Sequence, residues 1–126
     1  MRYLCLVYVD EVRRDGLSAD ERDTLLAEAV EFDLGIRQSG RAIESDSLQS
    51  VRCASIVRVW RGQITVADRP SPQPSEQVSG FALLDAKDLN EAIRLAASIP
   101  SARLGCVEIR PVRDSTASFE GCSLNS

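Results

Sequence analysis

Asp68 precedes, and Glu76 lies near the end of, the chemically most constrained stretch of the chain, Arg69-Pro-Ser-Pro-Gln-Pro-Ser-Glu-Gln77. Three prolines at alternate positions forbid helix and remove three backbone donors, so this loop is extended and stiff. A carboxylate that closes a strand beside such a loop can act as a general base or anchor a ligand. The same position also suits a turn-forming Asp that accepts backbone N–H groups. Were Glu76 close to Asp68, repulsion between the two charges would raise one pKa into a range useful for proton transfer. Further candidates sit on strand-like segments: Tyr8 and Asp10 near the N-terminus, and Glu108 and Arg110 near residue 110. An Arg on a sheet face can grip a carboxylate or phosphate through its fork, or simply pair with a neighbouring Glu. Arg58 and Trp60 alternate in the same way, as a flat-ligand platform or as a structural Trp at a dimer edge.

The chain contains no histidine, which removes Ser-His-Asp and Cys-His nucleophile systems, HExxH zinc sites and imidazole acid–base chemistry. Of its fifteen bases fourteen are Arg, scattered along the sequence, against nineteen acids, for a net charge of −4. Without clustered positive charge, nucleic acid is not expected as a ligand. The one lysine, Lys87, lies between acids and is a poor Schiff-base candidate. Cys5, Cys53, Cys106 and Cys122 form no CxxC pair, so neither a metal nor another cofactor is expected. The first three lie in apolar strand-like runs and read as buried small hydrophobes, with Cys122 as the likeliest reactive thiol. No apolar run reaches the roughly 20 residues of a membrane span, and the N-terminus reads as a strand rather than a signal peptide. A cytoplasmic protein without membrane contact is expected.

The elements that must position these residues follow from periodicity and caps. At 126 residues and 44% apolar content, the chain makes one domain over residues 1–112, followed by a polar Ser-rich tail over 113–126. RYLCLVYV at 2–9 is apolar on both faces, the pattern of a strand covered on both sides. Residues 10–17 read as a polar loop. Ser18-Ala-Asp-Glu21 is a capping box, and the helix it starts runs to about Ser39, with Gly40 as its left-handed stop and Leu25, Leu26, Ala29, Phe32 and Ile36 on one stripe. Asp33 lies at the edge of that stripe, either aimed at a pocket rim or paired with Arg37. Val30 and Leu34 lie on the back and predict a second contact surface. A weak strand at 42–49 precedes two strands joined by Arg61-Gly62, a hairpin. A strand at 78–85 carries Gly80, which marks a bulge or a close backbone approach. Asp88 caps a second helix that Pro100 ends, and the last strand spans 104–112. This β-α-(β)-β-β-α-β order predicts an α+β ferredoxin-like sandwich, an antiparallel sheet with two helices on one face. The other face would be bare and apolar, and a second copy packed sheet against sheet would cover it.

The sequence resembles the YCII-related family in its DGPF-type branch. The resemblance rests on the opening MRYLCLVYVDE, on Asp68-Arg-Pro70-Ser followed by Glu76-Gln-Val-Ser-Gly80-Phe81, and on Ile99-Pro-Ser-Ala-Arg-Leu-Gly105-Cys-Val-Glu108-Ile-Arg110-Pro111-Val. It implies a ferredoxin-like fold that forms dimeric α/β barrels. Some members are held to be enzymes in which a His and an Asp share a cleft, and some relatives are fused to or encoded beside sigma factors. Here the signature Gly is Arg69, the signature Phe is Ser71, and the His is absent, so a His–Asp mechanism cannot run. Asp68, Pro70, Glu76 and Gly80 survive.

Three functions are thereby expected. The first is a homodimer that binds a small molecule, or acts as an accessory, through Tyr8, Asp10, Asp68, Pro70, Glu76 and Arg110. The second is a cofactor-free isomerase- or lyase-like enzyme with Asp68 as acid and base. The third is an interaction module of sigma-factor-dependent transcription.

Overall fold

A computed structural model describes residues 1–68 and 75–113. The elements run β1 (Arg2–Asp10), α1 (Glu11–Asp15), α2 (Ala19–Gln38), β2 (Ala42–Ser47), β3 (Ser55–Trp60), β4 (Gln63–Asp68), β5 (Glu76–Asp85), α3 (Leu89–Ala97) and β6 (Gly105–Pro111). Short 3-10 turns at Val51–Cys53 and Pro100–Leu104 lead into β3 and β6. Four strands form one antiparallel sheet in the order β2-β5-β1-β6, and β3 and β4 pair only with each other. With the β3–β4 hairpin set aside, the order is that of a ferredoxin-like α+β sandwich.

Each helix start follows from its cap. The Ser18 hydroxyl accepts from the Glu21 amide at 3.1 Å, and the Glu21 carboxylate accepts from the Ser18 amide at 3.0 Å. That second bond holds the Glu21 carboxyl below its usual pKa. Asp88 accepts from the Glu91 amide at 2.8 Å and starts α3. Gly40, at φ +76°, takes the left-handed stop after α2. The segment expected to be a polar loop contains α1 instead, because Asp10 accepts from the amides of Val12 and Arg13 at 3.0 and 3.3 Å and nucleates a turn.

Both long helices lie on the same sheet face. Cys5, Val7 and Val9 of β1 form one buried cluster with Ala82 and Leu84 of β5, Ile36 of α2 and Ala96 of α3. Tyr3 joins Ala86 and Ala92 in a second cluster beneath α3. On the other face Leu4, Leu6, Phe81 and Leu83 are half-buried along the two central strands. That face is apolar only at its centre. Glu44 and Asp46 rim it along β2, and Cys106, Glu108 and Arg110 rim it along β6.

The register of β5 slips between Val7 and Tyr8, where Val7 meets Gly80 and Tyr8 meets Val78. A Cβ on Gly80 would stand 3.0 Å from the Asp46 carbonyl, so this glycine serves both a bulge and a close approach. The hairpin closes through Arg61 and Gly62, at φ +49° and +80°, the pair of left-handed residues a tight two-residue turn requires.

Two of the three cysteines expected to be buried are not. Cys5 is buried, but Cys53 lies exposed in the turn before β3 and Cys106 exposed on the open face of β6. An apolar neighbourhood in sequence buries a strand residue only if its own face is covered, and Cys106 points away from the helices. The tail beyond residue 113, with Cys122, lies outside the described residues, as does Pro70.

Candidate functional site

Two constellations emerge, one on each side of the sheet. On the open face, Tyr8 of β1 stands opposite Cys106 of β6 and next to Glu108. The Tyr8 hydroxyl donates to Glu108 Oε1 at 2.8 Å, and the Cys106 thiol donates to Glu76 Oε2 at 3.4 Å. The hydrogen bond to Glu108 raises the Tyr8 pKa above its usual value, with partial desolvation and the Glu108 charge adding to it and Arg110 pulling the other way. Desolvation, followed by the bond to Glu76 and the charges of Glu76 and Glu108, likewise raises the Cys106 thiol. Both groups therefore hold their protons at neutral pH and serve as hydrogen-bond donors. The thiolate that a cysteine nucleophile needs is disfavoured.

The sequence candidates thus divide. Tyr8, Glu76 and Arg110 come together on this seam, joined by Cys106, which sequence reasoning did not include in a site. Asp10 sits next to Glu76 in register but spends a carboxylate oxygen on capping α1. Asp68 lies apart, exposed at the end of β4 opposite Ser55, on a different sheet from Glu76. Trp60 stacks on Arg61, whose guanidinium carbon lies 5.4 Å from the ring centre, rather than on Arg58.

The second constellation is a cleft of about 810 Å³ on the helix side, between α2 and the sheet. Its apolar walls include Val7, Val9, Leu25, Phe32, Ile99 and Leu104. A polar set guards one side: Asp33 accepts from Arg37 Nε at 2.9 Å and from the Ser45 hydroxyl at 3.0 Å, while Arg37 Nη2 reaches Ser45 at 3.3 Å. Asp33 thus combines the two roles weighed for it, pair partner and rim carboxylate. At the other side Arg22 donates to the Asp15 carbonyl at 2.6 Å. Neither Asp68 nor Glu76 lines this cleft. A cleft of this volume that joins apolar walls to convergent charged and hydroxyl groups has features that small-molecule sites share.

Residue types alone did not reveal the cleft. Its one signal in the sequence is that α2 is apolar on two sides, with Leu25, Leu26, Phe32 and Ile36 expected inward and Val30 and Leu34 outward. Leu26, expected on the inward stripe, is as exposed as Val30 and Leu34, at 57–65%, because α2 stands off the sheet; of the whole helix only Ile36 is buried. Among the described residues no group of three His, Cys, Asp or Glu side chains is placed to hold a metal, and no helix is long and apolar enough to cross a membrane.

Comparison with known proteins agrees with this architecture. The chain is 27% identical over 114 residues to an uncharacterised protein of Rhizobium meliloti (strain 1021), a match covering 89% of this chain and 92% of that one. The family model for the YCII-related domain matches residues 1–116, through every element from β1 to β6, and the chain belongs to the YCII-related family.

Proposed function

We propose that this protein binds a small, mainly apolar molecule in the cleft beneath α2 and works as a homodimer whose two open sheet faces meet in a dimeric α/β barrel. The observation that carries the reading is the 810 Å³ cleft with apolar walls and the Asp33–Arg37–Ser45 set on its rim. Those rim groups suit the polar end of a ligand whose body lies against Leu25 and Phe32. The sheet-face dimer is supported by Leu4, Leu6, Phe81 and Leu83, which the helices leave uncovered. In such a dimer the Tyr8–Glu108 and Cys106–Glu76 pairs would form a polar seam within the interface. A binding or accessory role is favoured over catalysis because the chain has no imidazole and the seam donors hold their protons. Asp68 as acid and base has no support beyond its place at a strand end.

The test is displacement of an environment-sensitive apolar dye by a panel of aromatic and short-chain carboxylic acids. We expect Ala29→Trp, which fills the cleft, to weaken dye and acid binding at least 10-fold while the far-ultraviolet circular dichroism stays unchanged. Binding that survives this substitution, or no binding by wild type, would remove the cleft as the site. The interaction-module reading has one observation in its favour, the exposed Val30 and Leu34 on α2. It would gain if a partner were lost on Val30→Asp/Leu34→Asp with dye binding intact.

A further inference from the structure

Among the described residues, β3 and β4 pair only with each other and stand outside the four-stranded sheet. Val57, Val59, Ile64 and Val66 pair across it on one face and are 61–69% exposed, and every described residue of β4 is exposed. The opposite face carries Arg58, Trp60, Thr65 and Gln63. A two-stranded ribbon with one uncovered apolar face is marginal in water, and an amphipathic pattern calls for a covering surface. The root of this arm, by contrast, is fixed. Glu11 accepts from the Val51 amide at 3.1 Å and from the Ser50 hydroxyl at 3.2 Å, so the turn that launches β3 is tied to α1. A pinned root and a blade whose apolar face is exposed mark the arm as a contact surface.

We infer that the β3–β4 arm is a clasp that lays its Val57–Val59–Ile64–Val66 face on a second copy of this chain within the same two-fold dimer; this rests on the sheet-face dimer proposed above. Area argues for that occupant. Four strands about 4.8 Å apart, with some six residues in register at about 3.3 Å each, present a sheet face of about 400 Å². A standard stable interface takes about 800 Å² from each partner. One blade face is about 200 Å², and by symmetry each protomer both gives a blade and receives one, which supplies the shortfall.

The test is sedimentation of the full chain across a dilution series, with amide hydrogen exchange read over residues 55–68. For wild type we expect a dimer whose β3–β4 amides are protected and lose protection on dilution into monomer. For Val59→Asp/Ile64→Asp we expect the dissociation constant to rise at least 10-fold, against less than twofold for Arg58→Ser on the other face. A double variant that dimerises as tightly as wild type, or arm amides that exchange within seconds in the dimer, would overturn the clasp and leave the sheet-face dimer standing. A wild-type tetramer that the double variant reduces to a dimer would also overturn it, placing the arm between dimers. A wild type that stays monomeric at high concentration would remove the dimer and the clasp together.

Discussion

Helices α2 and α3 cover the same sheet face in opposite ways. The shorter, α3, sinks Ala92 and Ala96 to 0% and 3% exposure, and small side chains let its backbone approach the sheet. The longer, α2, spans 20 residues, buries only Ile36 and stands off over a cleft. Helix length therefore does not measure its contribution to the core. A close-packed element has one apolar stripe of small residues. An element apolar on two sides has unmet contacts on both, and here those are the cleft beneath and the Leu26–Val30–Leu34 stripe above.

The sharpest way to break this contrast is to overfill the close-packed side. A Cβ on Gly105 would overlap the Tyr8 carbonyl oxygen where β6 begins, so neither backbone can yield alone. Gly105→Ala is expected to cost about 3 kcal/mol in urea unfolding. Next comes a matched pair of helix substitutions. Ala92→Leu should cost about 2 kcal/mol because its site has no room. Ala29→Leu, which projects into the cleft, should be neutral or stabilise by about 0.5 kcal/mol. Equal losses in the two variants would show that α2 is as closely packed as α3. Ser18→Ala removes the α2 cap and should cost about 1 kcal/mol, read as faster amide exchange confined to the first turns of α2.

The smallest expected effect is in alkali. The folded protein raises the Tyr8 pKa, so it keeps a proton that the unfolded chain gives up. Tyr8 thus adds stability below its usual value near 10, and that contribution is lost as pH rises through the folded value. Urea midpoints between pH 9 and 11.5 should fall more steeply for wild type than for Tyr8→Phe. Thiol labelling at pH 8 in a Cys122→Ser background gives an independent reading. Exposed Cys53 should react first and Cys106 more slowly, while Cys5, which burial pushes up to about 11, should react only on unfolding.

Much of the fold was legible wherever a local rule operates alone. The capping box at Ser18, the Asp88 cap, the Arg61-Gly62 turn and the bulge at Gly80 each depend on residues within a few positions, and each is present. The five-residue helix α1 escaped because its stability comes from one Asp side chain rather than from any apolar period. The burial of Cys106 was misread because strand periodicity says which residues share a face and not whether that face is covered, and that of Cys53 because it lies in the turn before β3 and not in the strand. The open-face seam was legible only in pieces, and none of Tyr8, Asp10, Asp68, Glu76 and Arg110 lines the cleft. Tyr8, Glu76 and Arg110 were named separately, and antiparallel register joined them with Cys106, which lies far from Tyr8 and Glu76 in sequence. Asp68, close to Glu76 in sequence, ends β4 on the separate two-stranded sheet.

By itself, then, the sequence determined the α+β class, the family, the starts of the two long helices and the absence of imidazole chemistry, because these depend on residue identity and short-range spacing. Only the tertiary structure decided that α2 stands off the sheet, that Arg22, Asp33, Arg37 and Ser45 border a cleft, and that β3 and β4 leave the main sheet as an arm. Those outcomes turn on how whole elements tilt and pair over long sequence separations, where the balance of packing between elements outweighs any local preference.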